Sequence, residues 1–218
     1  MSDRIEHRNL DFVGAKLEIG RNDKLWDCRL QGCQVTIAKP NGQWVSDNVF
    51  TDCDIHVEGR YTKVWPACQF IRCRFTGTYY NTDIGVMKDG QCDLTDRLVD
   101  CDFSKAKMHF VRMFNCDVLT IKFPSWPHVS VFDQDAACDY LSQIEESYAQ
   151  HLALYWRSPT TGMRAKIWNL KMYLPTAQRD INTMISIKHT SDQLPPDYPI
   201  LNLDRTRAVF ENCPGVII

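Results

Sequence analysis

No run of about 18 apolar residues occurs anywhere in this chain of 218 residues, so nothing in it reads as a transmembrane helix. The opening stretch MSDRIEHRNLDF is polar where an export signal would be apolar, and the expectation is a cytoplasmic protein. Charge of one sign is missing too. With 25 basic and 27 acidic residues the net charge is −2, which favours neither a polyanion nor a membrane surface as partner. The signatures G-x-x-x-x-G-K-[ST], G-x-G-x-x-G, H-E-x-x-H and G-x-S-x-G are all absent, and with them the usual phosphate, dinucleotide, zinc-protease and esterase readings. No cofactor and no metal is expected.

Cysteine is abundant: there are ten. The chain is too long for a small disulfide scaffold and carries no export signal, so a disulfide framework is disfavoured. Cys28, Cys33, Cys53, Cys68 and Cys73 are separated by 5, 20, 15 and 5 residues and share one phase modulo five; Cys101 and Cys116 share a second. Two residues after each stands an apolar side chain: Leu30, Val35, Ile55, Phe70, Phe75, Phe103 and Val118. The four-residue gaps Cys28/Cys33 and Cys68/Cys73 fall within zinc-ligand spacing. A five-residue repeat produces the same gaps unaided, and reduced, core-facing thiols are the expectation.

From Leu25 the large apolar position recurs every five residues to Tyr80, interrupted only by Pro40 and Arg60; Trp65 and Tyr80 fall in it and should point inward. It resumes at Leu98 and runs through Phe103, Met108, Met113, Val118 and Phe123. A fainter start at Leu10-Asp11-Phe12 and Ala15-Lys16-Leu17 is separated from the main run by Gly20-Arg21-Asn22-Asp23, which shifts the frame by three residues and reads as a turn. A period of five is neither the helical 3.6 nor the strand period of two, and a repeat of this kind decides the fold.

The units Asp27-Cys28-Arg29-Leu30-Gln31, Asp52-Cys53-Asp54-Ile55-His56, Arg72-Cys73-Arg74-Phe75-Thr76 and Asp100-Cys101-Asp102-Phe103-Ser104 resemble the pentapeptide-repeat family over about residues 8 to 128. The resemblance implies a mainly β fold, a right-handed quadrilateral β-helix with 20 residues per coil and cysteine stacked on cysteine. The chain departs from the family in using cysteine where alanine is commoner. It also breaks frame between Tyr80 and Leu98, where Asn81 to Gln91 reads as a projecting loop. Loops on rigid scaffolds often carry function.

Pro124-Ser125-Trp126-Pro127 should end the column, giving a β-helix over residues 1–128 and an α-helical region over 129–218. Asp133 or Asp135 can cap a helix with Leu141, Ile144, Tyr148, Leu152 and Tyr155 on one stripe. A second helix is expected from Met163 to Leu174, and a third from Pro175 through Ile181, Met184, Ile185 and Ile187. An extended Pro-rich tail, LPPDYPILNLD, follows. This region should either cap the last coil or pair with a second copy to give a homodimer.

The acidic pairs Asp52/Asp54 and Asp100/Asp102 flank the small position and are expected on a solvated face. What remains is recognition surface. Trp44, Tyr79, Asp83, Lys88, Asp89, Trp156, Arg157 and Arg164 are the candidate partner-binding residues, chosen for interface-type side chains or for a place in the loop. The expected function is a non-enzymatic protein-binding module, a bacterial immunity protein neutralising a cognate toxin. One alternative is the DNA mimicry by which some pentapeptide-repeat proteins protect topoisomerases. Residues 1–128 carry 17 acidic and 17 basic side chains, whereas a duplex mimic should be strongly acidic. The other alternative is an effector with an activity in the C-terminal region.

Overall fold

The computed structural model describes residues 5–38, 44–62, 64–84, 97–109, 111–113, 120–126, 128–133, 136–137, 139–140, 182–186, 207–208 and 210–218. The chain divides into two compact units, Met1–Pro124 and Ser125–Ile218.

The first unit is a parallel β-solenoid built from short strands. One ladder joins β1 (Glu6–Arg8), β4 (Lys24–Trp26) and β7 (Trp44–Ser46). A second runs through β2 (Asp11–Val13), β5 (Arg29–Gln31), β8 (Val49–Thr51), β10 (Gln69–Ile71) and β13 (Leu98–Val99). A third runs through β3 (Lys16–Ile19), β6 (Gln34–Ile37), β9 (Asp54–Tyr61), β11 (Arg74–Tyr80) and β14 (Asp102–His109). A shorter pairing joins β12 (Asp83–Ile84) to β15 (Val111–Met113). Leu30 pairs with Phe50 and Phe50 with Phe70, a step of 20 residues. The first step is only 18, Phe12 to Leu30, because the turn at Gly20–Asp23 shortens the first coil. The Asp23 carboxylate, 7% exposed, closes that turn by accepting from the Ile5 and Gly20 amides at 2.9 and 2.8 Å.

The interior is a stack of equivalent positions. Phe50 lies on Phe70 at 4.9 Å between ring centroids and Phe75 on Phe103 at 4.1 Å, with Trp65 wedged 5.1 Å from Phe70. Such pairs contribute roughly 0.5–1.5 kcal/mol each beyond the area they bury. In the small position Cys28, Cys33, Cys53, Cys68, Cys73 and Cys101 are all buried and unbridged. Each thiol of Cys53, Cys73 and Cys101 reaches two carbonyls, one two residues back and one in the neighbouring coil, at 3.3–3.5 Å. Sulfur thereby supplies weak ties between coils that alanine lacks. Where the cysteine step meets Asn48 the amide spans coils instead, accepting from the Cys28 amide at 2.9 Å and donating to the Leu25 carbonyl at 2.8 Å.

The corners explain the residue ahead of each cysteine. Asn9, Asn22, Asp27, Asp47, Asp52, Ala67, Arg72, Asn81 and Asp100 have positive φ, as do Gly14 and Gly32. Asn, Asp and Gly tolerate the left-handed conformation, while other L-residues pay roughly 1–2 kcal/mol there. Ala67, at φ 54°, pays without the polar side chain that would help. Ala67→Asn is expected to stabilise the chain by about 1 kcal/mol, read as a higher urea midpoint at unchanged slope.

Three sequence expectations need correction. Tyr79, expected on the surface, is fully buried, and Tyr80, expected inward, is half-exposed with the Arg60 guanidinium 3.4 Å over its ring. The cause is that β11 runs straight on where a five-residue unit would turn: Gly77 pairs with Val57 and Thr78 with Arg60 across a bulge, and strand alternation, not the five-residue step, puts Tyr61 and Tyr79 inward. In the second unit, Asn182–Ser186, expected within a helix, is a strand, β17, antiparallel to β16 (His128–Val131). β18 (Val216–Ile217) pairs with β16 as well. Backbone pairing to β16 overrides the helical spacing of Met184 and Ile185. Asp133 does cap a helical turn, its Oδ1 accepting from the Ala136 amide at 3.0 Å. Residues 141–155 and 163–174, where the first two helices were expected, lie outside the described residues.

Candidate functional site

The outward face of the β3–β6–β9–β11–β14 sheet is organised by the same step that stacks the core. Asp54, Arg74, Asp102 and Lys122 stand one above the other, alternating in sign. The Arg74 guanidinium is bidentate on the Asp54 carboxylate, at 2.5 and 2.7 Å, and Lys122 Nζ lies 3.5 Å from Asp102. At the neighbouring corner Arg72 grips Asp52 in the same way, at 2.7 and 2.8 Å, and that hydrogen bond holds the Asp52 carboxyl below its usual range. The acidic pairs are thus half of a charge ladder, its exposed pairs contributing about 0.2–1 kcal/mol each.

A groove of about 500 Å³ opens in this face. Arg74 pairs with Asp102 but Thr76 with Lys105, so β14 carries an extra residue opposite Phe75 and the surface spreads. Ile55 and Phe75 floor the groove, and His56, Thr76, Ser104 and Lys105 rim it beside the charge column. His56 Nδ1 is 2.9 Å from Thr76 Oγ1. Burial raises the Asp102 pKa, but the Ser104 hydroxyl and amide and Lys122 outweigh it and leave the carboxyl below its usual value. The groove therefore presents fixed charges of both signs on strands that cannot shift singly.

A second exposed element lies on the β1–β4–β7 sheet. Trp44 is 54% exposed, yet its indole N–H donates to Ser46 Oγ at 2.8 Å, and that hydroxyl donates to Asp47 Oδ2 at 2.8 Å. On the same sheet Arg8 stacks 4.1 Å over Trp26. Val64, one 20-residue step beyond Trp44 in the chain, is also exposed.

Of the residues singled out from sequence, Trp44 is thus a held, exposed indole. Tyr79 is core: its hydroxyl donates to the Thr76 carbonyl at 3.3 Å. Asp83 is half-buried and bound by both arms of Arg112, at 2.5 and 2.6 Å, an anchor between β12 and β15. Lys88, Asp89, Trp156, Arg157 and Arg164 lie outside the described residues. The groove residues were missed. The opposite charges 20 apart, Asp54 with Arg74 and Asp102 with Lys122, were readable; the bulge that spreads them was not.

Burial pushes Cys68 up to about 12 and Cys101 up to about 11 and raises Cys28, while the hydrogen bond between Cys53 and Cys73, together with burial, pushes Cys73 up and leaves Cys53 lowered to about 7. A protonated, buried thiol is a poor nucleophile. His56 and Thr76 form a hydrogen-bonded pair, but Asp54, two residues from His56 on its strand, is taken up by Arg74. Among the described residues no three His, Cys, Asp or Glu side chains are placed to hold a metal ion, and no helix is long and apolar enough to cross a membrane. In comparisons with known proteins the chain matches no family model, no curated protein and no solved structure.

Proposed function

We propose that this chain is a protein-binding module on a pentapeptide-repeat scaffold, a right-handed, four-faced coil, and that it acts as an immunity protein by masking one toxin-like partner. The observation that carries the reading is the groove flanked by the Asp54–Arg74–Asp102–Lys122 column. Its charges are fixed before any partner arrives, so little side-chain order is lost on docking, and complementary charge sets specificity and encounter rate. Trp44, already hydrogen-bonded in place, offers a second anchor on the separate β1–β4–β7 sheet. Duplex mimicry is disfavoured because the column alternates in sign, whereas nucleic-acid backbone is of one sign.

The test is direct binding of the purified chain to toxins encoded beside it, with growth protection as the biological readout. A single stoichiometric complex is expected. Arg74→Glu should weaken it by about 10- to 100-fold, or roughly 1.4–2.8 kcal/mol. Trp44→Ala should cost about 2 kcal/mol or more of binding. Both substitutions should leave stability within about 1 kcal/mol of the parent, since both sites are exposed. A chain that binds none of those toxins and protects growth against none overturns the proposal.

A further inference from the structure

The first coil is built like the others but has nothing beneath it among the described residues. Phe12, Leu17 and Leu10 occupy the places that Leu30, Val35 and Cys28 fill one coil on. The latter three are each 1% exposed, whereas Leu10 is 43% exposed and Phe12 and Leu17 are only half-buried. Beside them Ile5 is 49% and Val13 77% exposed. Among the described residues β1, β2 and β3 are each hydrogen-bonded on one edge only, to β4, β5 and β6. An open apolar column end ringed by unpaired strand edges is a template for adding further strands.

The charges along those edges say what fits. β1 reads Glu6-His7-Arg8 and β3 reads Lys16-Leu17-Glu18. A strand laid antiparallel on its own copy, centred on the middle residue, sets the first residue opposite the third. Glu6 then meets the partner copy's arginine and Lys16 meets its glutamate, each twice by symmetry, and opposite charges so placed are favourable cross-strand pairs. In the four-faced coil proposed above, β1 and β3 lie on opposite sides of β2. A single two-fold axis through His7 and Leu17 therefore serves both edges. It also brings the two apolar column ends face to face, an isologous contact that closes on itself.

We propose that the N-terminal coil is a homodimer interface, two copies stacking head to head through β1 and β3 around the Leu10–Phe12–Leu17 column end. This rests on the coil geometry and not on the toxin partner, so the two readings fail separately. The experiment is sedimentation equilibrium of the full chain with charge-swapped variants. The parent should dimerise. Lys16→Glu and Glu18→Lys, which set like charges opposite one another, should each raise the dimer dissociation constant about tenfold or more, that is by about 1.4 kcal/mol or more. The double variant, Lys16→Glu with Glu18→Lys, restores opposite pairs and should return to within about threefold of the parent. Circular dichroism of each single variant should match the parent, since both side chains are exposed. A parent that stays monomeric at concentrations on the order of 100 μM overturns the proposal. So does a dimer whose dissociation constant ignores both single swaps, which would place the contact elsewhere, and so does a double variant no better than the singles.

Discussion

Cys53→Asp is expected to abolish folding, while Cys53→Ala folds and loses only about 1 kcal/mol. Cys53 is 1% exposed, and its thiol reaches the Leu30 and Thr51 carbonyls at 3.4 and 3.3 Å, oxygens that repel a carboxylate. Cys33 and Cys73 occupy the same place in the adjacent coils, so the new side chain would meet sulfur and not a cation on either side. A buried unpaired charge costs several kcal/mol, comparable with the roughly 5–15 kcal/mol that holds a domain together. Alanine gives up two weak S–H···O contacts, each worth less than an ordinary hydrogen bond of about 1 kcal/mol, and leaves a void smaller than a methylene pair. The far-UV spectrum and a urea titration of both variants decide the matter. An aspartate variant that folds with the parent's midpoint would mean that position 53 does not face the interior.

That contrast follows from what the sequence makes legible. The 20-residue spacing of Cys33, Cys53 and Cys73 is a covalent fact, and each residue so spaced lands on its equivalent because parallel ladders pair equivalent positions. The same rule would have foretold the Asp54–Arg74 and Asp52–Arg72 pairs, whose partners are also 20 apart. The preference for Asp or Asn ahead of the small residue, at Asp27, Asp52 and Asp100, was visible as composition. Its cause, a left-handed corner, needed backbone angles. What stayed hidden depended on a change of phase. Nothing in Thr76-Gly77-Thr78-Tyr79-Tyr80 says that the strand runs on and drops the five-residue phase, so the step from Phe75 points to Tyr80 while the strand's alternation buries Tyr79. β17 was hidden for a different reason: Asn182–Ser186 becomes a strand through backbone pairing with His128–Val131, more than fifty positions earlier. Local spacing carries no trace of so distant a partner.

Gly77→Ala should cost about 3 kcal/mol or more, the strain of an unfavourable backbone angle adding to a collision that cannot relax. Gly77 has φ +100°, and a Cβ built there would stand 2.3 Å from the Val57 carbonyl oxygen and 3.0 Å from both the Val57 carbonyl carbon and amide nitrogen. Those atoms are the backbone of β9, bonded into the ladder with β6 on the far side, so they cannot withdraw alone. Gly14 and Gly32 supply the control. Their φ values are +61° and +62°, but an added Cβ meets nothing within 4 Å. Alanine at either should cost only the roughly 1–2 kcal/mol of the left-handed region. If Gly77→Ala instead matches Gly32→Ala in a urea titration, the bulge is soft. A soft bulge could not hold Tyr79 in the core with Tyr80 outside under Arg60, nor fix the neighbouring Thr76 at 2.9 Å from His56 on the groove's rim. The substitution therefore also reports on the groove: binding of a partner there should fall together with stability, and tyrosine absorbance should shift as Tyr79 gains solvent.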